Sequence, residues 1–318
     1  MVLSSVGVKP STDLGLGTCA AAASEHTSNI PQSRRDAEKE SKNPDLLKRP
    51  SLLIICFILS VTSVAKMTEL ENNKLTFPVQ KSNKSRAAGK IRYWWSWFVA
   101  GALLLVIATP ALIVLGIINK RMWLFPLAHW GARTWLRACG ATVKVTGHEH
   151  LDPNRSYVFA SNHRSYLDTA TLFFYAGQKM GLVAKRELLK VPVLGQGMNY
   201  VNIIAIDRSN PERALRSMEK ARKVMNSGYS FGLFVEGTRA MPGELLPFKK
   251  GAFHLALQTG SAIVPVAIKN TDWMMGKRTG VAYAGEIEMV LLPPIETAGK
   301  DVMDLLTETR SAIAQELQ

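Results

Sequence analysis

Cysteine is scarce in this chain of 318 residues: the three present, Cys19, Cys56 and Cys139, are widely scattered and form no CxxC pair. Neither a disulfide framework nor a thiolate zinc site is indicated, and a reducing cytoplasmic setting is the default. Negative charge is also short, with 25 Asp and Glu against 39 Lys and Arg, a formal net charge of +14. Such an excess implies a polyanionic partner: nucleic acid, an anionic membrane surface or a phosphorylated small molecule. Residues 1–50 lack aromatic side chains altogether, and their few apolar residues follow no sustained period. They read as a disordered tail. The first twenty residues have no basic stretch leading into an apolar one, so no secretory signal is visible. Ser165, beside His163, does not sit in a GxSxG elbow, which argues against a serine nucleophile there.

What the chain does have is apolar length. Hydrophobic residues make up 47% of it, enough to bury a sizeable core in one or two domains. Residues 51–65 form an uncharged apolar stretch that is short for a membrane span but long enough to lie in or on a bilayer. Within residues 74–95 every charge is positive (Lys74, Lys81, Lys84, Arg86, Lys90, Arg92), and the segment ends in Tyr93, Trp94 and Trp95. Cations followed by aromatics resemble a cytoplasmic juxtamembrane belt. Residues 96–118 then run without a single charge. As a straight helix this run measures roughly 34 Å, enough to cross a hydrocarbon core of about 30 Å.

Two membrane readings of that run compete. Length favours a single span, whereas Pro110 in its middle and basic residues at both ends favour two short helices that dip in and return to the same face. A buried core helix is the third reading, but such helices seldom run this far without a polar residue. Residues 120–139 mix Trp123, Phe125, Trp130 and Trp135 with Arg121, Arg133 and Arg137, an amphipathic pattern suited to the membrane interface.

From residue 141 onward short β-type runs alternate with helical ones. Strands are expected over 142–145, 157–160, 181–184, 202–206, 230–235, 263–268 and 288–292, and helices over 167–176, 211–226, 252–258 and 301–317. The alternation predicts an α/β domain, with a mostly parallel or mixed sheet covered by helices. The expected organisation is therefore a tail (1–50), a short apolar segment with a basic linker (51–95), a membrane-associated helical region (96–139) and a catalytic domain (140–318).

Within that domain charged groups gather where strands end. "SNHRSYLD", residues 161–168, leaves a strand and enters a helix. Ser165 and Asp168 have the S-x-x-D form of a capping box, which starts the helix near Tyr166 and leaves His163 in the loop before it. On a regular helix five residues turn the chain through about 500° and separate the two groups, but a break at Ser165 lets the loop fold the imidazole back onto the carboxylate. A carboxylate bonded to one ring nitrogen fixes the tautomer and leaves the other free to take a proton from a substrate hydroxyl. The competing reading makes Asp168 a cap and His163 an ordinary loop histidine. "FVEGTRAMPG" similarly carries Glu236, Gly237, Thr238 and Arg239 at a strand end, where Gly237 permits an unusual turn and Arg239 offers a planar fork of donors to a phosphate. Arg208 follows another strand in "NIIAIDR", and Lys185 a fourth in "GLVAK". Alone, each is an ordinary surface charge; together they form what a site for a phosphorylated alcohol requires.

These motifs, NH-x4-D (Asn162, His163, Asp168), IDR (residues 206–208), EGTR (residues 236–239) and IVPVAI (residues 263–268), occur in the order and rough spacing of the glycerolipid acyltransferases. Over residues 141–294 the chain resembles that family, most nearly the 1-acyl-sn-glycerol-3-phosphate acyltransferases, departing from it at Ala205, where an aromatic is common. The resemblance implies an acyl thioester donor, acyl-CoA or acyl-carrier protein, and lysophosphatidic acid as acceptor, with phosphatidic acid as product and no cofactor. It implies His163 as general base and Asp168 as its orienting partner. Arg208, Arg239, Glu236, Gly237 and Thr238 would bind the acceptor, with Lys185 beside them. It also implies a pair of interface helices and a location at the cytoplasmic face of the cell inner membrane, peripheral, monotopic or single-pass. Glycerol 3-phosphate or another lysophospholipid is the rival acceptor.

Three other classes fit less well. A metal-dependent hydrolase needs three or four ligands and the sequence suggests only His163 and Asp168, since His148 and His150 flank a turn. A non-enzymatic protein of anionic membranes leaves the strand-end motifs without purpose. Nucleic-acid binding is disfavoured because the positive excess lies beside membrane-like sequence.

Overall fold

β-Branched and aromatic residues in short runs set the framework. The computed structural model describes residues 73–80, 82–120, 123–177, 179–206 and 211–318. The tail expected over 1–50, the apolar segment over 51–65 and Arg208 lie outside the described residues. In chain order the strands are β1 (Leu75–Thr76), β2 (Ala141–Thr146), β3 (Val158–Ser161), β4 (Met180–Lys185), β5 (Ile203–Ile206), β6 (Ser230–Phe234), β7 (Glu244–Leu245), β8 (Ile263–Lys269) and β9 (Gly285–Leu291). Helices are α1 (Arg86–Ala102), α2 (Thr109–Ile117), α3 (Leu124–Ala138), α4 (Leu167–Tyr175), α5 (Leu194–Tyr200), α6 (Pro211–Met225), α7 (Gly251–Thr259), α8 (Thr271–Met275) and α9 (Val302–Glu316).

Seven strands form one mixed sheet in the order β2-β9-β8-β3-β6-β4-β5. Five run parallel, while β9 is antiparallel to β8 and parallel to the edge strand β2. Every residue of β3 is buried, as its central place between β8 and β6 demands, and its sequence is accordingly an unbroken small-apolar run ending in serine. Nearer the edge, β9 alternates buried Ile287, Met289 and Leu291 with partly exposed neighbours. Each face of the sheet carries its own core. One gathers Phe159, Leu167, Leu172, Phe173, Val264 and Met289 beneath α3 and α4, and the other gathers Val158, Phe231, Phe253, Leu255, Leu305 and Ile313 beneath α7 and α9. Fully burying a side chain of this kind contributes about 1.5–3 kcal/mol, so the two layers fix the strand order and with it the loops at the strand ends.

The sequence-expected elements of this domain are all present, with ends shifted by a residue or a few. Two short helices, α5 and α8, add to them, α5 in a stretch where Gly195 and Gly197 lower the helical signal. Pro110 does not break the apolar run. The helix that starts at Arg86 continues to Ile117 through a widened π-helical stretch, Leu103–Ala108, just before the proline. There the Leu104 carbonyl accepts both the Thr109 N–H and, at 2.9 Å, the Thr109 hydroxyl, which holds the wider turn. The helix is long and apolar enough to cross a membrane by length and composition. It nevertheless lies along the domain at both ends, since Tyr93 and Trp97 pack on the same core as Ala111, Leu112 and Leu115, while Trp94, Phe98, Leu105, Val106, Ile113 and Ile117 are exposed. The helix α3, expected at the interface, has two sides: Leu136 is buried and Trp130 is exposed.

Asn162 shows how the sheet controls the site. It immediately follows β3, is fully buried, and exchanges both amide hydrogen bonds with the main chain of Ile268 in β8: its Nδ2 donates to the Ile268 carbonyl at 2.9 Å and its Oδ1 accepts the Ile268 N–H at 2.8 Å. A side chain thereby extends the ladder by one step and sets where His163 emerges. Asn162→Ala strands a buried donor and a buried acceptor, so denaturant unfolding should show a loss of about 2–4 kcal/mol. An unchanged unfolding midpoint would dismiss this bridge.

Candidate active site

The loop after β3 wraps around one carboxylate oxygen. Asp168 Oδ2 accepts three hydrogen bonds, from His163 Nδ1 at 2.9 Å, from the Arg164 N–H at 2.6 Å and from the Ser165 N–H at 2.7 Å. Asp168 is fully buried, whereas the His163 side chain remains 15% exposed. The break at Ser165 expected from the sequence is what permits this. Ser165 donates its hydroxyl to the Met275 carbonyl at 2.7 Å and accepts the Leu167 N–H, so α4 starts at Leu167 and the loop returns over its first turn. Only the carboxylate half of the expected capping box forms. The imidazole is stacked on Phe234, the last residue of β6, with ring centroids 4.0 Å apart. With the Asp168 carboxylate as acceptor Nδ1 donates, so Nε2 is the ring nitrogen the carboxylate does not engage.

One main-chain hydrogen bond and one carboxylate join this loop to the EGTR stretch after β6. The Ala240 N–H donates to the His163 carbonyl at 2.7 Å. Glu236 accepts the His163 N–H at 2.6 Å through Oε1 and the Leu246 N–H at 2.7 Å through Oε2. Its side chain is therefore buried and occupied on both oxygens. Burial pushes the Glu236 carboxyl up from 4.5 to about 8, with the Leu246 and His163 N–H groups acting in the opposite direction. Gly237 takes a φ of +71°, the left-handed turn its lack of a Cβ makes accessible, and Thr238 is exposed next to it. Arg239 then lies over the ring of Tyr166, its guanidinium carbon 3.6 Å from the ring centroid.

The structure thus brings His163, Asp168, Glu236, Gly237, Thr238 and Arg239 together at the carboxyl ends of the adjacent strands β3 and β6. Lys185 ends β4, on the same side of the sheet, and Arg208 lies beyond the described residues. Sequence reasoning missed a second layer. Arg164, almost fully buried, donates its Nε to the Glu244 carbonyl at 2.7 Å and pairs with Asp272 at 3.2 Å. Asp272 also accepts the Gly243 N–H at 2.9 Å. Lys277 Nζ donates to the Arg239 carbonyl. Partners 29 to 108 residues apart leave no local spacing to read; the placing of Arg164 beside His163 is the one local signal of a role.

Comparison with known proteins agrees with this geometry. A model of the family described as Acyltransferase matches residues 142–269. An uncharacterized acyltransferase of Schizosaccharomyces pombe is 38% identical over 54% of this chain and 63% of its own length. The 1-acyl-sn-glycerol-3-phosphate acyltransferase of Limnanthes douglasii is 40% identical over 50% of this chain and 56% of its own length. These matches span a little over half of those relatives. The 1-acyl-sn-glycerol-3-phosphate acyltransferase alpha of Mus musculus is 31% identical over 69% of this chain and 75% of its own length. Among solved structures, the 1-acyl-sn-glycerophosphate acyltransferase of Thermotoga maritima shares the fold, with a TM-score of 0.62 at 20% identity over 72% of this chain and 94% of that one. With the NH-x4-D and EGTR stretches meeting at two neighbouring strand ends inside the matched region, the chain belongs to the acyltransferase family that includes the 1-acyl-sn-glycerol-3-phosphate acyltransferases.

Proposed function

We propose that this protein transfers a fatty acyl group from a thioester, acyl-CoA or acyl-carrier protein, to the free hydroxyl of 1-acyl-sn-glycerol 3-phosphate, giving phosphatidic acid. The observation that carries the reading is the 2.9 Å contact between His163 Nδ1 and Asp168, made in a loop that also abuts a stacked arginine. With Nδ1–H engaged by the carboxylate, Nε2 removes the hydroxyl proton as the oxygen attacks the thioester carbonyl. The tetrahedral intermediate collapses with cleavage of the C–S bond, and the imidazolium returns its proton to the departing thiolate. Asp168 stabilises the imidazolium through that cycle. Arg239 grips the acceptor phosphate through its planar fork, with Arg208 and Lys185 as further cations from neighbouring strand ends. Glu236, both oxygens occupied by main-chain donors, acts as the brace between the two loops, while Gly237 and Thr238 line the acceptor's approach.

The same reading assigns the exposed apolar side of the long helix to the bilayer. Residues such as Trp94, Phe98, Leu105 and Ile117 present a surface that water disfavours, next to a segment whose charges are all positive. The protein would then sit on the cytoplasmic face of the membrane, against anionic lipid, with the active site facing its lipid substrate.

An assay of the purified protein in mixed micelles, offering lysophosphatidate, glycerol 3-phosphate and a neutral lysolipid with each donor, tests the reading. Lysophosphatidate should be the acceptor converted. His163→Ala should lower kcat by about 10²- to 10⁴-fold with little change in acceptor KM; near wild-type turnover would remove the imidazole from the mechanism. Arg239→Lys keeps the charge but loses the fork, and should raise the KM for lysophosphatidate far more than that for the donor. Equal changes would count against phosphate recognition there. For Glu236 the sign follows from its raised value. Stability linked to its proton is fully present below about 4.5 and is lost as pH rises through about 8. The unfolding midpoint of the wild type relative to that of Glu236→Gln should therefore fall across that window, and a difference that stays flat or grows with pH refutes the assignment.

A further inference from the structure

A guanidinium can be held in two ways. A carboxylate partner engages its N–H groups in the plane of the fork and competes with an incoming phosphate, whereas an aromatic ring engages its face and leaves the in-plane donors available. Arg239 is held in the second way: among the described residues its guanidinium rests on the Tyr166 ring at 3.6 Å, and its main-chain carbonyl accepts from Lys277 Nζ. Tyr166 in turn is the residue between the catalytic loop and α4. Its main chain is fixed by Ser165 on one side and by fully buried Leu167 on the other, so its ring has a defined exit direction. On leaving the domain the ring meets Trp97 of the long apolar helix edge-on, with centroids 5.4 Å apart and planes at 87°. Trp97 itself is backed by Tyr93 at 6.2 Å and by Trp135 of α3 at 6.1 Å.

We propose that Tyr166 is a positioning residue for acceptor recognition: its ring, steadied by Trp97 of the long helix, presents the Arg239 guanidinium face-stacked with its donors free for a phosphate monoester. The proposal rests on the reading of Arg239 as the phosphate ligand. It also gives the helix a second task. Trp97, held by Tyr93 and Trp135, links that helix through one ring contact to the arginine that selects a phosphorylated acceptor. A carboxylate at the same place would hold the arginine as firmly but would occupy the donors the phosphate needs.

The test compares Tyr166→Phe, Tyr166→Leu, Trp97→Ala and Arg239→Ala in the full chain, measuring KM for lysophosphatidate, KM for the acyl donor and kcat. Tyr166→Phe keeps the ring and should leave both KM values near those of the wild type. Tyr166→Leu loses the cation–π contact and should raise the acceptor KM about three- to thirtyfold, with the donor KM unchanged. Trp97→Ala should raise it in the same direction by a smaller factor. Combined with Arg239→Ala, Tyr166→Leu should add nothing further to the acceptor KM, because the group it positions is gone. If Arg239→Ala itself leaves the acceptor KM unchanged, the phosphate reading fails and the proposal with it. If Arg239→Ala raises that KM while Tyr166→Leu does not, or if the two effects multiply, only the role of Tyr166 is refuted. Should Tyr166→Leu prove too unstable to purify, Tyr166→Phe and Trp97→Ala still decide the matter: a large acceptor effect in the first, or none in the second, overturns it.

Discussion

One buried oxygen organises the loop after β3. Asp168 Oδ2 receives an imidazole N–H and two consecutive main-chain N–H groups, and these three donors come from residues 163, 164 and 165 in succession. Three donors on one oxygen offset part of the cost of taking the carboxylate out of water. The fold of the loop and the electrostatics of the histidine are therefore a single arrangement. Moving the carboxylate would release the ring and the turn together, which is why the interval between His163 and Asp168 matters more than the identity of the residues inside it.

A second level of organisation fixes that loop to its neighbour. The EGTR stretch is joined to His163 through both its N–H and its C=O, one by way of the Glu236 carboxylate and the other by Ala240. Both partners originate in adjacent parallel strands, β3 and β6, whose register places Ser161 opposite Phe234. From that register follow the stacking of Phe234 on the imidazole and the meeting of Arg239 with Tyr166. Beyond it, Arg164 and Asp272 form a nearly buried pair that also ties down the Glu244 carbonyl and the Gly243 N–H. Such a pair contributes little net stability compared with apolar packing, but removing one member strands the other. Its value here is in holding three loops in one arrangement. Residues 73–79 join the same latch from outside. The strand β1 pairs with β7, Lys74 pairs with Glu244 at 2.9 Å, and Phe77 lies under the Arg164 guanidinium.

What the sequence made legible was whatever leaves a local pattern. The alternation of apolar runs located the seven strands of the main sheet and the larger helices, and the S-x-x-D spacing pointed to a chain reversal at Ser165. The His163–Asp168 contact was accordingly readable as one of two alternatives, and the motif order favoured it. Contacts made across the sheet were not readable. Nothing in "SNHRSYLD" indicates that Asn162 bonds to Ile268 in another strand, that Arg164 reaches Asp272, or that the tyrosine ring supports an arginine more than 70 positions away. Where local readings competed or were silent, tertiary packing decided. Pro110 leaves a break and a continuous helix both open, and a widened turn carries the helix past it; α5, for which no local signal spoke, forms against Leu112 and Leu124. Glu236, expected among the acceptor-binding residues, has its two oxygens bonded to the main-chain N–H groups of His163 and Leu246, contacts that no local pattern announces.

The division of labour that results has a physical logic. General-base catalysis tolerates little error in position, because proton transfer requires donor and acceptor within hydrogen-bond reach. The imidazole accordingly has every constraint available to a side chain: a carboxylate on one nitrogen, a ring against its face, and both main-chain groups bonded. On the proposed reading phosphate recognition needs donors that are placed but unspent, and among the described residues the arginine is held by its face and its main chain. A stack of this kind fixes the plane of the guanidinium without fixing each donor, which on the proposed reading suits a substrate that arrives from a lipid surface. The rigid half of the site is built on the sheet and the adjustable half on the contact with the long helix; the boundary between them falls at Tyr166, whose main chain belongs to the first and whose ring belongs to the second.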